Sequence, residues 1–104
     1  MPDIYKILQE CSGFEWDQHN AKKNWEKHRV TPAECEQIFF NKPLIVADDT
    51  KHSEYERRYF VLGETDLHRK LFIVFMIRNK LIRVICARDM NKKEKRSYEE
   101  HEKE

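Results

Sequence analysis

Apolar residues change their spacing near residue 43, dividing the chain into a helical first part and a strand-rich second part. In GFEWDQHNAKKNWEKH, Asp17 suits a helix N-cap, and Ala21, Trp25 and His28 recur at helical spacing. A short strand or turn followed by a helix is expected there, with Trp25 in the core. The following TPAECEQIFF carries a fuller start signal. Thr31 can cap, Pro32 falls at the first helical position, and Glu34 lies three residues after the cap, as in a capping box. Its apolar positions Cys35, Ile38 and Phe39 share one side, and Asn41-Lys42-Pro43 ends it. Residues 1–13 show only weak periodicity and suit a short strand or a helical turn equally.

Beyond Pro43 the pattern is that of strands: 44–47, 57–63, 71–78 and 81–88, with Asn79-Lys80 as a two-residue hairpin turn. Unbroken apolarity in LFIVFMI (71–77) predicts a central strand covered on both faces. Asn91 and Glu94 repeat the capping-box spacing and open a last helix. The predicted fold is therefore α+β: two N-terminal helices, a four-stranded antiparallel sheet and a C-terminal helix.

Composition narrows the function classes. The chain has 104 residues, enough for one domain, and its 38% charged and 39% apolar residues fit a polar but folded protein. The longest apolar run, at seven residues, is far short of a membrane span, and the opening MPDIYKILQECSG lacks the apolar run of a signal peptide. Cys11, Cys35 and Cys86 form no CxxC pair, so a disulfide framework and a cysteine-based zinc site are both disfavoured and a reducing, cytoplasmic setting is expected. No His/Cys spacing suggests a metal, and no cofactor is expected. The net charge of +1 hides a division: residues 1–56 hold seven Lys/Arg against eleven Asp/Glu, whereas 57–98 hold twelve against four. The second half is a candidate polyanion-binding face.

Candidate chemistry gathers there. Strand arginines Arg58, Arg78, Arg83 and Arg88 mark an open sheet face or edge, since a guanidinium is costly to bury without a partner. With Asn79-Lys80 as the turn, Arg88 is expected opposite Leu71 and Arg83 opposite Met76. Arg58, opposite Phe75, then shares a side with Arg88 while Arg83 takes the other. Lys92 and Lys93 in the first turn of the last helix oppose its dipole, which makes sense if a phosphate binds at the free N–H groups there. His28 and His52 are candidate proton-transfer groups, and Trp16 a candidate base-stacking surface.

These stretches resemble a known family. FEWDxxxxxxNxxKHxV (14–30), the FF pair (39 and 40), HSEYERRYFVLG (52–63) and RVIxAR followed by KKEKRSYE are similar, in the same order, to the BrnT family of ribonuclease toxins. The resemblance covers about residues 14–100, leaving 1–13 as an N-terminal extension before a toxin domain of 14–104. It implies a RelE-like fold and metal-independent cleavage of mRNA. It also implies neutralisation by a BrnA-type antitoxin with a ribbon-helix-helix domain, so that DNA is contacted only through the antitoxin. The family's basic and polar positions fall on Lys27, His28, His52, Arg58, Arg83 and Arg88. On that basis Arg58 and Arg88 are expected at the scissile phosphate and Lys23 or His28 in proton transfer. Arg83 and Lys92 are expected on neighbouring phosphates, with Trp16 and His52 assisting substrate binding. Two other readings stay open at this point: an inactive or weakly active antitoxin-binding protein acting in operon autoregulation, and a plain nucleic-acid-binding domain.

Overall fold

The computed structural model describes residues 3–52 and 55–103. In chain order the elements are α1 (Ile4–Gln9), β1 (Gly13–Glu15), α2 (Gln18–His28), α3 (Pro32–Ile38), β2 (Ile45–Asp48), a 3₁₀ turn (Thr50–His52), β3 (Tyr59–Glu64), β4 (Lys70–Arg78), β5 (Leu81–Asp89) and α4 (Lys92–Glu102). The strands form one sheet in the order β1-β5-β4-β3-β2. β1 runs parallel to β5, and the other pairs are antiparallel.

The α+β class and C-terminal helix are as the sequence suggests, but the sheet is five-stranded and mixed, and three helices precede β2. The added strand, three residues long, falls where the sequence suits a short strand or turn ahead of α2, but its place in the sheet was not expected. It exists because Gly13, Phe14 and Glu15 pair with Leu81, Ile82 and Arg83 near the other end of the chain. α1 lies against the core edge through Ile4 and Leu8, and the Val46 N–H donates to the Tyr5 hydroxyl at 3.0 Å.

Helices α2 and α3 begin where their caps predict. Asp17 accepts from the N–H groups of His19 and Asn20, and Thr31 and Glu34 close a reciprocal capping box. Cys35 and Ile38 on α3 are wholly buried among Val61, Leu71, Ile73, Phe75 and Val84. This contact is close: a Cβ on Gly63 would meet the Ile38 Cβ at 3.0 Å, so only glycine lets the helix settle on β3. Burial pushes the Cys35 thiol up to about 12, leaving it protonated and unreactive near neutral pH.

Trp25, expected in the core, is 46% exposed instead, with the Arg29 guanidinium 5.1 Å above its ring. Asn24 takes the inward position on α2, and its side-chain oxygen accepts the Ala87 N–H at 3.2 Å. The reason lies in the sheet. β1 pairs only with residues 81–83 of β5, so the N–H of Ala87 beyond it needs another acceptor.

Arg69, which no motif singled out, joins these layers. Its guanidinium donates to the backbone carbonyls of His28 (3.0 Å) and Arg29 (2.8 Å), to Glu34 (3.0 Å) and to both oxygens of Asp89 (2.7 and 3.1 Å). It thereby satisfies the end of α2, where Arg29 sits at φ 54° in the left-handed region. Asp89 is held below its ordinary value by the hydrogen bond from Arg69. Burial pushes the Glu34 carboxyl up, but the Thr31 N–H and Arg69 outweigh it and hold it low.

α4 packs on the other side of the sheet. Tyr98 is fully buried with Leu62 and Met90, and its hydroxyl donates to the Pro43 carbonyl at 2.7 Å. Lys70 ties the sheet to Glu99 and Glu102. Among the described residues no helix is long and apolar enough to cross a membrane.

Candidate active site on the open sheet face

α4 covers only the Ile45, Leu62 and Phe72 end of its face. No described element covers the rest of that face, and strand register decides which side chains stand on it. In β3 and β4 the core side takes Tyr59, Val61, Leu71, Ile73 and Phe75, leaving Phe60, Phe72 and Val74 on the open side. Arg88 lies opposite Phe72 and Cys86 opposite Val74. The offset from the predicted Leu71 pairing is one residue. A matching one-residue offset between β3 and β4 keeps Arg58 on the same side as Arg88.

Arg83 lies opposite Met76 as expected but departs from expectation in sharing a face with Arg88. The register shifts between Val74 and Phe75, whose partners are Cys86 and Val84, so Ile85 is an extra residue in β5. The bulge turns Arg83 onto the same face as Arg88, where its guanidinium bridges Glu15 and Asp17. It fastens β1 and the start of α2 to β5, and both its carboxylate partners would have to be displaced for it to hold a phosphate. Arg78 is similarly engaged by Glu56, at 2.6 and 2.8 Å.

The centre of the open face is a cavity of about 390 Å³ walled by Asp49, Arg58, Phe60, Phe72, Val74, Ile85 and Cys86. Phe60 and Phe72 stack with ring centroids 5.6 Å apart and planes 27° from parallel. The Asp49 N–H donates to the Arg58 carbonyl at 2.9 Å, which fixes the two residues beside one another at the rim. At the far side, the Arg88 guanidinium lies 4.1 Å over the Phe72 ring and forks onto both oxygens of Glu94, at 2.8 and 2.9 Å. The hydrogen bond to Glu94 raises the Arg88 value. Burial pushes Glu94 up, but Arg88 and the Asn91 N–H outweigh this and keep it ionised at neutral pH. From strand spacing and rise, the Arg58 and Arg88 Cα atoms stand roughly 15 Å apart, with the aromatic pair between them.

The remaining predicted residues lie elsewhere. Lys23 is half-buried and lines a separate basic hollow on α2 with His19, Lys22, Glu26 and Lys27. His28 closes α2 near Asp89, and neither it nor Lys23 is on the wall of the Arg58 cavity. Lys92 is exposed at the start of α4. Trp16 packs against the helix-covered core, and its indole N–H donates to Glu36 on α3 at 2.8 Å, so its ring serves the fold. His52 ends the 3₁₀ turn, and its side chain lies outside the described part of the molecule. Phe60, Phe72, Asp49 and Glu94 were not foreseen in the site. The signal for the phenylalanines was their period-2 place beside Leu62 and Val74, usable only once register was known. Among the described residues no group of three or more His, Cys, Asp or Glu side chains could hold a metal ion.

A family model described as the ribonuclease toxin BrnT of type II toxin–antitoxin systems matches residues 16–94. Among solved structures, the 1.1 Å crystal structure of the Brucella abortus ribonuclease toxin BrnT is similar, with a TM-score of 0.59 and 20% identity. The similarity covers 77% of this chain and 97% of that one, and at this identity it speaks for the fold. No curated protein gives a match.

Proposed function

Because the chain belongs to the BrnT family, the ribonuclease toxins of type II toxin–antitoxin systems, we propose that its open sheet face binds single-stranded RNA and cleaves it without a metal ion. The observation that carries this reading is the placement of Arg58 and Arg88 on one uncovered face, on either side of the stacked Phe60 and Phe72. Cleavage uses the RNA's own 2′-hydroxyl. Its oxygen bonds to the adjacent phosphorus, the 5′-oxygen of the next nucleotide leaves, and the strand ends in a 2′,3′-cyclic phosphate. The hydroxyl loses a proton and the leaving oxygen gains one, and water reaching the open face can carry both. The protein's main contribution is then positive charge aimed at the phosphorane.

Arg88 takes the scissile phosphate. Its fork already grips a carboxylate, and a phosphate presents similar paired oxygens in place of Glu94. Arg58, too distant to share that phosphate in the present arrangement, takes a neighbouring one. Lys92 adds a charge at the exposed start of α4. The antitoxin partner is taken to be of the BrnA type, with DNA contacted only through its ribbon-helix-helix domain, and the site of action is the reducing cytoplasm, where the free cysteines Cys11, Cys35 and Cys86 are stable.

This reading separates the arginines from the other predicted catalytic groups. In single-turnover cleavage of a labelled RNA with excess EDTA, wild type should remain active. Lys23→Ala and His28→Ala should show none of the ~10²-fold or greater loss that removal of a general acid or base brings. Loss of cleavage in EDTA would contradict the metal-free mechanism. A hundredfold loss in either variant with intact folding would return proton transfer to α2.

A further inference from the structure

We infer that α2 carries a second phosphate-binding surface, a basic stripe that holds the backbone of single-stranded RNA where it leaves the open sheet face. This deepens the ribonuclease reading and rests on it for the identity of the polymer, though not for the polyanion chemistry. α2 fills the edge of β5 beyond β1. It starts beside Arg83, whose guanidinium meets Asp17, and touches Ala87 through Asn24. It ends at His28, whose carbonyl shares Arg69 with Asp89. The helix therefore runs parallel to β5 with Asn24 facing the sheet. Ala87 turns its side chain into the core and its N–H to Asn24, which fixes the side of the strand on which α2 lies. In a right-handed helix placed there, Trp25 turns toward the α3 side, and Lys23 and Lys27 stand on the flank that borders the open face.

The hollow on this flank has a volume of about 360 Å³ and is walled by His19, Lys22, Lys23, Glu26 and Lys27. Glu26, the one carboxylate on its wall, is already turned to Lys22 at 3.8 Å. Among the described residues no carboxylate pairs with Lys23 or Lys27, although Lys23 is half-buried. Helix stability does not ask for this pattern. Like charges four apart, as in Lys23 and Lys27, weaken a helix. The helix dipole favours a cation only in the last turn, which accounts for Lys27 and His28 but not for Lys22 or Lys23. A polyanion does account for it. Positions four apart are separated by about 6 Å along the axis, close to the step between successive phosphates of an extended strand. Lys27 lies at the end of α2 nearest Arg88, so a strand gripped at Arg88 meets Lys27 first and Lys23 next.

Binding and cleavage by the intact chain test the stripe separately. A single-stranded 2′-O-methyl RNA of about 12 nucleotides, which offers no attacking hydroxyl, is bound to the protein across a salt series and followed by fluorescence anisotropy. Lys23→Ala/Lys27→Ala should weaken binding by about tenfold and make the slope of log K against log salt shallower by about 1.4, or ~0.7 for each phosphate contact removed. Lys6→Ala/Lys103→Ala, which takes the same charge from α1 and the end of α4, should leave both values nearly unchanged. With a cleavable RNA of the same length, the α2 variant should raise KM while kcat changes much less, because the stripe lies off the reacting atoms. Retained kcat also shows that the variant is folded. Unchanged RNA affinity, or an equal loss in Lys6→Ala/Lys103→Ala, would overturn the stripe. Unchanged RNA affinity together with weaker capture of poly-glutamate would overturn it in favour of an acidic protein partner. Binding lost in the α2 variant while wild type cleaves nothing would leave the stripe standing and remove the ribonuclease reading instead. Cleavage by wild type with KM unaltered in the variant would do the reverse.

Discussion

Replacing Arg88 with alanine is expected to lower kcat for RNA cleavage by about 10²–10³-fold, the usual effect of removing one preorganised donor to a developing negative charge. KM should change much less, because Arg58 and the aromatic pair still hold the strand. The substitution also leaves Glu94 without its guanidinium partner, 19% exposed and needing more solvent. Arg88→Ala/Glu94→Gln therefore serves as the control. The double variant should recover thermal stability without recovering activity. Arg88→Lys keeps the charge but loses the planar fork, so it should restore only part of the rate. An Arg88→Ala enzyme that cleaves as fast as wild type would remove this residue from the chemistry.

The largest stability effect is expected at Arg69. Arg69→Met keeps much of the aliphatic stem but strips donors from two backbone carbonyls and two carboxylates. A loss of about 2–4 kcal/mol at neutral pH follows from leaving these acceptors unpaired, with Tm falling by roughly 10 °C or more. The pH dependence identifies the cause. Glu34 and Asp89 are held below their ordinary values of 4.5 and 3.8 in the folded protein. The stability they contribute is therefore present above those values and is lost as pH falls through the lower folded values. Wild type should lose more stability than Arg69→Met on acidification below about pH 4, so the gap between them should narrow. Urea unfolding at pH 7 and pH 3 measures this directly. A gap that stays constant would mean that Arg69 acts through packing and the His28 and Arg29 carbonyls rather than through Glu34 and Asp89.

Local signals proved reliable where the cause was local. The Thr31 and Asn91 capping boxes form as their spacing suggests. The Asn79-Lys80 turn has positive φ at both residues, as a tight two-residue hairpin of this kind requires. What the sequence hid was set by contacts between distant segments. The stretch at β1 suits a strand or a turn, and only pairing with β5 decides for the strand; Asn24 displaces Trp25 from the inward position because a strand edge needs an acceptor. Arg69 looks like any loop arginine until α2, α3 and β5 close around it. The open face illustrates both sides. Its arginines could be suspected from charge in strands, and Arg58 and Arg88 could be paired by parity. The Ile85 bulge that brings Arg83 to the same face leaves no mark in the residue pattern. Phe60 and Phe72 read as ordinary strand phenylalanines, since apolar periodicity does not say which face a helix will leave uncovered.

The central claim is that the open face promotes attack by the RNA's own 2′-hydroxyl. The most direct test is cleavage of a single-stranded RNA with one 2′-deoxynucleotide at a mapped cut site, with product ends read by mass spectrometry. The account predicts no cleavage at the deoxy position and 2′,3′-cyclic phosphate at every remaining cut. Cleavage 3′ of the deoxynucleotide, or fragments that carry a 3′-hydroxyl and a 5′-phosphate, would contradict it.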